Sequence, residues 1–124
     1  MDDLIAFLRA RLGKDEQTAR AHRQASAHWY YDHMAHEVRD EDNAGTVAFT
    51  QDRDGQHIAR HDPARVLAEV DAKRRILERH AQCGSGIGRC DDGGHVSEGE
   101  ACAEQIDLAA PYADHPDYKD KWRP

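Results

Sequence analysis

The sequence predicts a mainly helical α+β fold, and three observations predict it. Alanine supplies 19 of the 124 residues, and no side chain has a higher helix propensity. Asp62 followed by Pro63 spells a helix start, a capping carboxylate and then a residue that lacks an N–H where none is needed. Between two helical stretches, the β-prone runs "TVAFT" and "QHIAR" flank the turn-forming "DRDG", a hairpin signal.

The N-terminal 40 residues, "DDLIAFLRARL" onward, read as one long helix. Asp2 or Asp3 serves as its cap, and at about 100° per residue Leu4, Leu8, Ala19, His22, Trp29 and His33 share a face. Gly13 kinks or splits it, and its end falls between Tyr31 and Asp40. Residues 45–61 form the hairpin, with Val47 and Phe49 on one face of its first strand resting on a helix. The second helix spans 62–80, with Val66, Val70 and Leu77 as its apolar line. A Gly-rich Cys/His loop, 81–102, leads to a short helix that stops near Pro111. The tail after it carries Tyr112, Tyr118 and Trp122, rings that dock it onto the body. At this length residues 1–124 read as a single domain.

The core is thin. Leu, Ile, Val and Phe number only 18, under the roughly 20% below which charged chains tend to disorder. Such a chain needs a metal, a second copy or a larger complex to hold it. The net charge of −7 argues against direct binding to nucleic acid or an anionic membrane. No apolar run approaches 18 residues, and "LIAFL" behind two aspartates is too short for a signal peptide. A cytoplasmic location is expected, where thiols bind metal or stay reduced.

All three cysteines fall in "HAQCGSGIGRCDDGGHVSEGEAC". Zinc takes four nitrogen and sulfur ligands in a tetrahedron, and His80, Cys83, Cys90 and Cys102 supply a Cys3His set, with His95 as the substitute for His80. A structural zinc there clamps the end of one helix to the start of another. The separations between the cysteines are wider than C-x-x-C, so unligated thiols in a loop, a disulfide, a redox pair and an iron–sulfur centre stay open as alternatives.

The other polar clusters have plain readings. His36, Glu37 and Asp40 imitate a metalloprotease helix but put Asp where the second His belongs. His57 and His61 fall on one side of an extended strand beside Asp62, which is committed to capping. The basic stretch "DAKRRILERH" contains Asp71 and Glu78 and no aromatic residue for stacking.

Three segments in order, "DLIAFLRARL", "HIARHDPARVLAEVDAKRRIL" and "PYADHPDYKDKW", resemble an uncharacterised domain-of-unknown-function family of short acidic proteins from high-GC Gram-positive bacteria and their phages. The resemblance spans most of the chain and implies no activity and no catalytic residue. It implies a variable insert before the last helix that bears cysteines in some members, with Cys102 placed as in those. Within the shared segments it singles out His57, His61, Asp114 and His115 as the polar residues to test.

These readings predict a small non-enzymatic accessory or interaction protein with a structural zinc site, its partner a protein of unknown identity or a second copy that buries Trp29. Two alternatives stand beside it. One is an acidic phage- or mobile-element-type inhibitor that covers a basic protein surface. The other is a small hydrolase that uses the histidine-rich first helix, His33 among its residues, or His57 and His61.

Overall fold

The computed structural model describes residues 2–83, 90 and 99–124. Helix α1 spans Asp2–Arg20, strands β1, β2 and β3 span Trp29–Asp32, Glu37–Asp40 and Thr46–Phe49, and helices α2, α3 and α4 span Asp52–Arg60, Pro63–His80 and Ala103–Ala109. Two 3-10 turns, Ala110–Tyr112 and Asp120–Trp122, complete the tail. The fold is α+β and mainly helical, as predicted. Its residues fall into two compact units, Asp15–Val70 and Met1–Lys14 with Asp71–Pro124.

In the Asp15–Val70 unit the elements depart from expectation. Helix α1 stops at Arg20, and the stretch read as its continuation forms a hairpin instead: β1 pairs antiparallel with β2, Trp29 opposite Asp40 and Tyr31 opposite Val38. Trp, Tyr and Val fit a pleated sheet better than a helix surface, and that preference overrides the helical alignment of Trp29 with Leu4 and Leu8. The intervening turn is built by Asp32, whose Oδ1 accepts the N–H groups of Met34 (3.0 Å) and Ala35 (3.2 Å). His36 closes it at φ 55°.

Strand β3, the expected "TVAF" run, adds antiparallel to β2 to give a three-stranded sheet in the order β1-β2-β3, with a register irregularity at Val38/Arg39. The expected second strand of the 45–61 hairpin is helix α2. Its Asp-Gly is no turn: Gly55 lies buried inside the helix, where an added Cβ would overlap the Tyr31 ring and approach Thr50. Glycine stands here because the Tyr31 ring comes so close to the helix backbone that no side chain fits between them.

Two buried carboxylates hold this unit. Asp40 accepts the backbone N–H groups of Ser26 and Asp42, each at 2.7 Å. Burial raises its pKa, and the N–H donors of Ser26, Asp42, Asn43 and Ala25 overcome this to leave it below the ordinary value. Asp62 caps α3 as expected, accepting Arg65 N–H at 2.9 Å through Oδ1, and its Oδ2 accepts Trp29 N–H at 3.1 Å.

The other unit buries the apolar stripe Leu4, Leu8 and Leu12 of α1, with Leu77 of α3 and Trp122 of the tail. The tail docks through rings: Phe7 meets Trp122 at 5.1 Å between centroids and Tyr112 and Tyr118 edge-on at 6.3 and 6.0 Å. Lys119 (2.5 Å) and Lys121 (3.4 Å) bind Asp3, and the Lys119 ammonium holds that carboxyl well below the usual range.

Candidate metal centre

The last turn of α3 ends on His80, and Cys83 follows within one further turn, its N–H donating to the His80 carbonyl at 3.0 Å. Cys102 caps α4 in an extended conformation. Gln105, with no exposed surface, ties these two chain segments together: its Nε2 donates to the His80 carbonyl at 2.7 Å and its Oε1 accepts Cys102 N–H at 3.1 Å. The backbone bearing two prospective ligands is thereby braced by a third side chain.

Around that brace, His80, Cys83, Cys90 and Cys102 are all buried, and their ligand atoms lie within 4.8 Å of one another. His80 Nδ1 stands 3.6 Å from Cys83 Sγ, 3.4 Å from Cys90 Sγ and 3.7 Å from Cys102 Sγ. With zinc–sulfur bonds of about 2.3 Å and zinc–nitrogen bonds of about 2.05 Å, a tetrahedron has N···S edges of about 3.6 Å. The four residues are in a geometry that can hold a metal ion, and all three cysteines are free of disulfides.

Burial, followed by the neighbouring Cys83, pushes the Cys102 thiol up. A metal bound by these residues would displace thiol protons, and its positive charge would stabilise the thiolates that burial alone disfavours. Beside the cluster, Glu104 places Oε2 3.5 Å from Cys90 Sγ and 3.9 Å from His80 Nδ1. His95, the expected substitute for His80, lies outside the described residues.

The remaining candidates are spread over the two units. His33 is exposed in the β1–β2 turn. His36, Glu37 and Asp40 share no helix: His36 sits at the turn, Glu37 and Asp40 are on β2, and Asp40 is engaged with backbone N–H groups. His57 and His61 lie on and just after α2 rather than on a strand, yet they meet, their rings 4.4 Å apart and His61 Nδ1 donating to the His57 carbonyl at 2.9 Å. Asp114 is exposed, while His115 packs edge-on against Phe7 at 5.6 Å and contacts Arg11.

One polar cluster went unread in the sequence. Tyr31 Oη donates to Asp52 at 2.7 Å, and His36 Nδ1 lies 3.5 Å from the same carboxylate. Burial and Asp52 push the Tyr31 hydroxyl up to about 12. Asp52 lies 21 residues beyond Tyr31 and the three share no motif, so only the pairing of β1 with β2 and the packing of α2 reveal them.

Fold and site together define a small, mainly helical α+β protein with a buried His/Cys cluster in a geometry that could hold a metal ion. A family model described as Family of unknown function (DUF6221) matches residues 1–124, and the chain belongs to that family. No curated protein and no solved structure matches it. Among the described residues, no helix is long and apolar enough to cross a membrane.

Proposed function

We propose that this chain is a non-enzymatic accessory or interaction protein whose α3–α4 junction is closed by one structural zinc ion. The observation that carries the reading is the buried set of His80 Nδ1 and three cysteine sulfurs with N···S separations of 3.4–3.7 Å, matching the tetrahedral edge for zinc. Three thiolates and an imidazole favour zinc over hard cations, which prefer oxygen. The brace formed by Gln105 supports a structural role, since it fixes the ligand-bearing backbone and leaves the four ligands to fill the coordination shell. Zinc then supplies the stabilisation that so few large apolar side chains do not, and the cytosol is the compartment in which such thiols persist.

The interaction part of the proposal rests on surface chemistry. Phe49 on strand β3 and Met34 in the β1–β2 turn are 78% and 83% exposed, apolar area that a partner protein or a second copy can cover. Elemental mass spectrometry on untagged protein purified without chelator tests the metal, together with thiol accessibility. About one zinc per chain with all three thiols protected is the expected result. Metal-free protein with three reactive thiols refutes the centre.

A further inference from the structure

We infer that Glu104 is a reserve ligand of this centre, closing it as His80, Cys83, Cys102 and Glu104 when Cys90 does not coordinate; the inference rests on the metal-binding reading above. Zinc accepts carboxylate oxygen at about 2.0–2.2 Å, so a tetrahedron containing one has O···S edges of about 3.5 Å and O···N edges of about 3.4 Å. Glu104 Oε2 stands 3.5 Å from Cys90 Sγ and 3.9 Å from His80 Nδ1. It is a neighbour of the Cys90 corner, within half an ångström of a coordination edge from the histidine (3.9 against about 3.4 Å), and a swing of 3.5 Å carries it into the place the Cys90 sulfur leaves.

Its place in the chain suits the exchange. Glu104 and Cys102 belong to the same helix start, so the backbone that positions one ligand positions the other. The Glu104 side chain is one-third exposed, at 33%, against 5% for His80, and a rotation of that side chain needs no repacking of the core. Cys83 and Cys102 are fixed by backbone N–H hydrogen bonds to His80 and Gln105.

Charge explains why Glu104 stays outside the complete centre and enters the incomplete one. Zinc with three thiolates already carries a net charge of −1, and a carboxylate beside it is repelled. With the Cys90 thiolate gone, zinc and two thiolates are neutral, and Glu104 restores both the fourth ligand and the original charge. The oxygen is a weaker ligand for zinc than sulfur, so the exchanged centre binds less tightly but keeps its ion. The centre can then release its Cys90 corner without releasing the metal.

Cobalt(II) is the probe, titrated into reduced, metal-free full-length protein. Wild type is expected to show intense tetrahedral d–d bands and sulfur-to-cobalt charge transfer. Cys90→Ala should keep the tetrahedral bands while charge transfer falls by about a third, since two sulfurs remain of three. Adding Glu104→Ala to it should weaken cobalt binding by at least about tenfold and abolish the tetrahedral bands. Glu104→Ala alone should leave the wild-type spectrum.

Three outcomes overturn something specific. Wild type without tetrahedral cobalt refutes the metal reading itself. Wild type that binds while Cys90→Ala shows no tetrahedral site refutes the reserve ligand. A double variant that binds as well as Cys90→Ala also refutes it, because another group then fills the corner. Circular dichroism checks that each variant folds, and Cys90→Ser is read the same way if Cys90→Ala does not.

Discussion

The two units of this molecule solve the same shortage of apolar residues by different means. The unit of Asp15–Val70 rests on buried carboxylates that gather backbone N–H groups, Asp40 at the sheet and Asp62 at the start of α3. The unit of Met1–Lys14 and Asp71–Pro124 rests on a leucine stripe, an aromatic tail and a knot of histidine and cysteines. A thin core thus has two remedies, charge-assisted hydrogen bonds in one place and rings with a buried His/Cys cluster in the other. Each leaves its own vulnerability.

The largest separation between the units comes from removing the proposed zinc. A chelator, or Cys102→Ala, should expose the amides of residues 76–83 and 102–109 to hydrogen exchange while β1–β3 keep their protection, because structural zinc binding is itself folding free energy. Equal loss of protection in both units would sink the idea that the metal serves one of them.

Asp40→Ala should show the opposite pattern. It strands buried N–H donors, at a cost of about 2–4 kcal/mol, read as a lower denaturation midpoint with early exchange in β1 and β2. Its pH dependence has a definite sign. The folded pKa lies below the unfolded value, about 3.9, so the stabilisation is complete well above that value and is lost as pH falls through the folded pKa. An Asp40→Asn protein whose stability falls as steeply in acid as wild type's would remove Asp40 from the explanation.

Gly55→Ala sharpens the contrast at a single methyl. Its Cβ meets the Tyr31 ring, so about 1–3 kcal/mol of overpacking is expected, with the raised Tyr31 titration near 12 moving toward the ordinary tyrosine value as the ring shifts. The smallest effect has the other sign. Gly13 of α1 has open space where its Cβ would be, and Gly13→Ala should stabilise by about 0.5–1 kcal/mol through helix propensity, measurable by chemical denaturation.

What the sequence by itself determined is the local, strongly marked part: the α+β class, the Asp62 cap with Pro63 behind it, the leucine stripe of α1, strand β3 and the four His and Cys residues that the fold gathers into one buried cluster. Tertiary structure decided the rest. Trp29 and His33 matched a helical period, but β1 pairs with β2 because Trp, Tyr and Val fit a pleated sheet better than a helix surface. Asp54-Gly55 carried the chemistry of a turn and became helix, and glycine is needed there because of the close approach of Tyr31 from elsewhere in the chain. Gln105 and Glu104 carried no motif at all. They matter because folding brings α4 against the end of α3, and a separation of 25 residues between Gln105 and the His80 carbonyl it binds leaves no periodic trace in a sequence.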